Sequence, residues 1–199
     1  MVSLGRIFKR GVIIINALET LNNISSLKDT YLAEHHRNVY QYGLIIASLM
    51  DLPYRSRKTI QKAALLHDIG KIGIPNRILF KPGNLTHAEW QIMMLHPVTG
   101  AELLSADLFS KEIIKAVRHH HERWDGTGYP DGLAGENIPL PARVIAVADA
   151  FDAMTTDRPY RKALSKSDTF KEIIRCSGQH FDPGITKVFV NKQSYVLAR

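Results

Sequence analysis

Only one cysteine, Cys176, occurs in the 199 residues, which excludes an intrachain disulfide framework and argues against a cysteine-based zinc site. It lies in an apolar helical stretch with Ile173 and Ile174 and reads as a small buried hydrophobe. Long apolar runs are missing as well. No stretch approaches the roughly 18–20 apolar residues that span a bilayer, and the run Val12–Ile15 behind the basic N-terminus is too short for a secretory signal. Residues 1–28 are therefore read as an N-terminal helix, or a linker from an upstream domain. The thiol content fits a reducing compartment, so a cytoplasmic location is expected. Low-complexity tracts and fixed-period repeats are absent. Acid is also scarce relative to base: 26 Lys and Arg face 19 Asp and Glu, a formal charge of +7. That balance suits a polyanionic ligand or simply a solvated basic face. No aromatic-studded basic motif points to a nucleic-acid reader.

Strand alternation is the last thing missing, and helical spacing takes its place nearly throughout. Apolar residues recur at helical intervals from near Tyr31 to Leu49, and again at Ile60, Ala63, Ala64 and Leu65, leading into His67. Thr86 followed by Glu89 is a capping box, so a helix should begin just after Thr86. Pro97 opens a short helix, and Ile113, Ile114, Ala116 and Val117 mark one that runs into His119, His120 and His121. Residues 124–141, with four Gly and three Pro, form a loop. Helical spacing resumes at Ala142, another helix starts near Ser165, and Asp182–Pro183 opens a last one. The expected fold class is all-α, a compact helical bundle.

Nine histidines are present, and several stand where a metal site gathers ligands. His67 and Asp68 are adjacent at a helix end. Their side chains diverge by roughly 100°, yet both can meet one cluster if that helix end points at it. Ile69-Gly70-Lys71 then breaks the helix and swings a lysine back over the site. His96 precedes Pro97 at a helix junction, and His120 and His121 close another helix. Asp149 sits among Ala146, Val147, Ala148 and Ala150, where a carboxylate is costly to bury unless paired or ligated. Imidazole and carboxylate without thiolate suit iron, manganese, nickel or zinc. His36, His87, His119 and His180 read as ordinary hydrogen-bonding histidines.

HDIGKIGIP at 67–75 resembles the His-Asp metal-dependent phosphohydrolase superfamily. HHERWDGTGYP at 120–130, ARVIAVADAFDAMTTDRPYR at 142–161 and FDP at 181–183 resemble its HD-GYP branch, in order and at the spacing of that family. The resemblance runs from about Asp29 to Phe189, which makes 29–199 the catalytic domain of an HD-domain bundle with a Gly/Pro-rich GYP loop. It implies a phosphodiesterase that hydrolyses the bacterial messenger cyclic di-GMP to pGpG or GMP, using a water activated between divalent metal ions. By position, the implied metal ligands are His35, His67, Asp68, His96, His120, His121 and Asp149, with Asp68 bridging. Lys71 would sit over the phosphate and act in catalysis beside Asp68, while Asp152, Arg158 and Arg161 would contact substrate.

Members with three metals carry a glutamate four residues before the first histidine; Tyr31 stands there, so two divalent ions are expected. The GYP loop, with Tyr129 free to stack on a base, could be a lip over the site, a structural turn or a docking surface for diguanylate cyclase domains. Dimerisation through the first helix is a further expectation. The rival readings are a hydrolase of another cyclic dinucleotide or nucleotide, and a catalytically silent module that binds nucleotide or partner proteins.

Overall fold

Helix α1 (Thr30–Leu49) pairs with α2 (Tyr54–Leu66), and α7 (Leu140–Thr155) packs against both. The computed structural model describes residues 30–104, 106–157 and 162–192, with side chains from Glu34 onward. The expected N-terminal helix or linker at 1–28, dimerisation through it, the side chain of Tyr31, and Arg158 and Arg161 lie outside the described residues. Among the described residues the chain is helical with no strand; one isolated bridge joins Ser177 and Phe181.

The apolar spacing explains the packing. Ile46 from α1, Ile60, Ala63 and Ala64 from α2, and Val144, Ile145 and Ala148 from α7 are buried in one core. Alanines at the contact faces let the helix axes approach closely. Helix α6 (Lys111–His119) adds Ile113, Ala116 and Val117 to the same core, and α5 (His96–Leu103) packs on α6. The far side is filled by rings: Phe151 of α7 stands 5.1 Å from both Phe170 of α8 (Lys166–Arg175) and Phe189 of α9 (Pro183–Asn191).

The caps lie where the side-chain chemistry puts them. At the start of α4 (His87–Met93), Glu89 N–H donates to Thr86 Oγ1 at 3.3 Å, while Thr86 N–H donates to Glu89 at 2.7 Å. Ser165 caps α8 through Asp168 N–H. Asp182 caps α9 through Gly184 and Ile185 and also receives Arg143 of α7, tying the last helix to the core. Cys176, expected inside, is only half-buried at the C-terminus of α8, because the helix turns its Ile173 face to the core instead.

Helices α2 and α6 and the junction between α4 and α5 end on the same side of this core, and α1 passes beside them. Each of those ends carries histidine. A tight 3-10 turn, Ile69–Gly73, follows α2 and packs on α5, and the short helix α3 (Asn76–Leu79) comes after it. The turn brings Asp68 and Lys71 back towards His96.

Candidate metal centre

Helix ends expose backbone carbonyls that have no partner inside the helix. Three histidines use that fact in the same way. His67 Nδ1 bonds Ala64 O at 2.7 Å, His96 Nδ1 bonds Met93 O at 2.8 Å, and His120 Nδ1 bonds Val117 O at 2.7 Å. A carbonyl only accepts, so each Nδ1 carries the proton and each Nε2 lone pair faces inward. His35 has the same polarity from another source: its Nδ1 donates to Asp152 Oδ2 at 2.6 Å. Burial pushes His67, His96 and His120 down to about 4, and His121 well below its ordinary value. These are neutral imidazoles near pH 7, the form that ligates a cation.

Asp68 stands among them with a side chain only 3 % exposed. Its Oδ1 is 3.3 Å from His96 Nε2. Its Oδ2 is 3.8 Å from His35 Nε2, 3.5 Å from His67 Nε2 and 2.5 Å from Lys71 Nζ. One carboxylate thus faces two sets of donors with different oxygens. The first set is His35, His67 and Asp149; the second is His96, His120 and His121, and within each the donor atoms all lie within 4.8 Å of one another. Burial alone would raise the Asp68 carboxyl, but Lys71 and the surrounding imidazoles outweigh it and hold Asp68 well below the usual carboxylate range. Burial likewise lowers His35, but the Asp152 hydrogen bond and the charges of Asp149 and Asp68 prevail, and its net shift is upward. A cation would displace that proton.

The donor set fits a divalent metal. His67 Nε2 is buried and has no hydrogen-bond partner, a state that costs free energy unless something else occupies the lone pair. His96 Nε2 and His120 Nε2 face each other at 3.3 Å. Lone pairs turned towards one another repel unless a proton or cation lies between them.

All seven expected ligands therefore come together. Asp149 and Asp152, three residues apart, share one face of α7 and grip opposite nitrogens of the His35 ring: Asp149 Oδ1 lies 3.4 Å from Nε2. The two carboxylates differ in access. Asp149 is 21 % exposed, whereas Asp152 is 1 % exposed.

Asp152, expected to contact substrate, is instead seen bonded within the protein. Its oxygens are taken by His35, by Asn38 Nδ2 at 2.7 Å and by Thr156 Oγ1 at 3.2 Å, so it orients His35 from behind. His36 also departs from expectation. Its Nε2 faces Asp68 Oδ2 at 3.8 Å, beyond hydrogen-bond reach, and has no hydrogen-bond partner. His119 does behave as expected, bonding Lys115 O and Asp131.

Sequence reasoning missed Glu122. Its buried carboxylate accepts Asp131 N–H at 2.8 Å and Leu133 N–H at 3.1 Å, closing the Gly-rich loop into a fixed shape. Its place beside the His120–His121 pair was the only available signal. Asp131 is held in turn by both Arg118 and His119, so the His119–Glu122–Asp131 group is a fully hydrogen-bonded pin. Gly128 is required here by close approach: a Cβ would meet Arg123 N at 2.3 Å and Glu122 Cα at 2.5 Å. Tyr129, expected to be free for stacking, already lies on His121 with ring centroids 5.0 Å apart and 25° between planes, and the exposed Trp90 meets its edge. The loop is a built wall of the centre on the His121 side.

The sequence matches the HD domain family over residues 19–185. It is 40 % identical over 190 residues to a cyclic di-GMP phosphodiesterase of Thermotoga maritima, covering 92 % of this chain and 50 % of that protein. It is 33 % identical over 209 residues to a 3'3'-cGAMP-specific phosphodiesterase of Vibrio cholerae, covering 100 % of this chain and 40 % of that one. The chain thus spans half or less of the length of these relatives. Among solved structures, an HDG"Y"P protein from Bdellovibrio bacteriovorus superposes with a TM-score of 0.69 at 20 % identity, over 93 % of this chain and 63 % of that one, a likeness of fold. No helix of the described residues is long and apolar enough to cross a membrane.

Proposed function

This chain belongs to the HD domain family, and on that premise we propose that it is a metal-dependent phosphodiesterase that hydrolyses cyclic di-GMP. The observation that carries the reading is Asp68, a buried carboxylate turning one oxygen to His96 and the other to His35 and His67. His35, His67 and Asp149 would hold one divalent ion, His96, His120 and His121 a second, and Asp68 would bridge them. Divalent ions so held supply Lewis acidity towards phosphoryl oxygens and make bound water acidic enough to react near neutral pH.

The protein's own groups supply the rest. Lys71, 28 % exposed and bonded to Asp68, reaches from the centre towards solvent. There it would meet a phosphodiester as a point charge and offer a proton to the leaving 3′ oxygen. Tyr129 and His121 would wall one side against bulk water. Arg158 and Arg161 remain the proposed contacts to phosphate or to a guanine edge. Cleavage once would yield pGpG, and a second cut GMP.

A second reading, hydrolysis of 3'3'-cGAMP, is favoured by the similarity to the Vibrio cholerae enzyme. A silent binding module is disfavoured, because every expected ligand position holds a donor and Lys71 is present. The test is metal content and product analysis on anaerobically purified protein, offered cyclic di-GMP, 3'3'-cGAMP and GTP in parallel, with Asp68→Ala as control. The reading expects bound transition metal, turnover of cyclic di-GMP above the other two, and loss of both metal and turnover in the variant. Equal hydrolysis by wild type and Asp68→Ala would overturn it, and preference for 3'3'-cGAMP would move the assignment to the second reading.

A further inference from the structure

Helix α1 brings two consecutive histidines to the centre, and the family pattern accounts for only the first. His36 follows His35 by one residue, so the two side chains leave the helix roughly 100° apart. The ring nevertheless turns towards the centre. Its side chain is 14 % exposed, and its Nε2 is buried without a hydrogen-bond partner, 3.8 Å from Asp68 Oδ2. Its ring centroid lies 5.6 Å from that of His35 and 5.5 Å from that of His67. His36, His67 and Asp68 present donor atoms that all lie within 4.8 Å of one another.

The oxygen that His36 faces decides which ion it would serve. Asp68 Oδ2 is also the oxygen facing His35 and His67, whereas Oδ1 faces His96. A second cation between His36 and His67 is excluded by valence, because the His67 Nε2 lone pair can bind one ion only. Donors at about 2.1 Å around a single ion lie roughly 3 Å apart when adjacent and roughly 4.2 Å apart when opposite. The 3.8 Å from His36 to Asp68 falls between those limits, as does the 3.8 Å from His35 to the same oxygen.

Resting on the metal-centre reading above, we infer that His36 is an additional ligand of the first cation, beside His35, His67, Asp68 and Asp149. The set then holds three imidazoles and two carboxylates. A third nitrogen donor shifts preference from manganese and magnesium towards the borderline ions iron, cobalt, nickel and zinc. It also explains a buried imidazole nitrogen that otherwise sits unbonded beside a carboxylate.

The test uses the metal-free full chain, titrated with cobalt(II) and separately with manganese(II), following heat and the visible cobalt spectrum. Wild type is compared with His36→Ala and His36→Gln. The glutamine variant, of similar length, carries the comparison if the alanine variant loses its helical circular dichroism. The expected result is two cobalt ions in wild type and, in both variants, one site weakened at least about tenfold, the loss that even an outer partner causes. The weakened site should show an altered cobalt spectrum and a reduced preference for cobalt over manganese, and the other site should be unchanged. Affinities and spectra within twofold of wild type would overturn the inference while leaving the binuclear centre standing. Wild type that binds no cobalt would instead sink the centre itself, and this ligand with it.

Discussion

Substituting Gly70 by alanine tests whether the centre depends on the close contact of two backbones. Gly70 lies two residues after Asp68, in the 3-10 turn packed on the first turn of α5. A Cβ there would stand 1.9 Å from His96 O, 2.5 Å from Gly100 N and 2.8 Å from His96 C. A comfortable carbon–oxygen contact needs roughly 3.3 Å, so the turn and α5 must separate by about 1.4 Å. All three atoms met are backbone, so no side chain can swing aside. Metal–ligand distances tolerate only about 0.2 Å, and Asp68 and His96 lie on opposite sides of this contact. The variant should lose affinity for the second cation by well over tenfold. Overpacking should also cost on the order of 1–3 kcal/mol or more, lowering the melting temperature by about 2–4 °C per kcal/mol for a chain of this size. Calorimetric melting and metal content measured on the same preparation check both effects. Unchanged melting with two ions retained would refute the claim that Gly70 is present for steric reasons.

Asp152→Ala should weaken the proposed first cation about 10- to 100-fold through loss of the His35 Nδ1 anchor; a raised KM for substrate with metal affinity intact would instead make Asp152 a substrate contact. Glu122→Gln turns an amide NH2 towards one of two backbone donors, costing about 1–3 kcal/mol and speeding amide exchange at Asp131 and Leu133; unchanged exchange there would refute the pin. In metal-free protein, His67, His96 and His120 are held to about 4 by burial, against about 6.5 in the unfolded chain. The unfolded state therefore binds more protons between those values, so stability rises with pH across the window and is lost on acidification from about 6.5 towards 4. Each imidazole contributes about 3 kcal/mol at most, partly offset by His35, whose raised value acts in the opposite sense. Equal urea midpoints for metal-free protein at pH 7 and pH 4.5 would refute this.

The helices were legible because their signals are local. Thr86 with Glu89, Ser165 with Asp168, and Asp182 before Pro183 each cap the helix that their spacing announces. Four of the seven proposed ligand positions, His67, Asp68, His120 and His121, were legible in the HDIGK and HHERWDGTGYP motifs, which are contiguous strings. Less legible were residues whose partners lie far along the chain. Asp152 reads as a substrate contact from its place in the family pattern, yet its partners are His35, 117 positions away, and Asn38, 114 positions away. His36 reads as an ordinary hydrogen-bonding histidine until α2 is packed on α1 and Asp68 Oδ2 stands 3.8 Å from its Nε2.

Apolar periodicity and side chains that bond their own backbone neighbours determined the helices, their ends and the stations of histidine and aspartate. Those forces act within a few residues and can be read in order along the chain. The packing of α1, α2, α5, α6 and α7 decided which lone pairs converge, which carboxylate faces both sets of donors and which one stands behind. Those outcomes depend on distances between separate helices, set by the whole buried core together, and no local stretch of sequence encodes them.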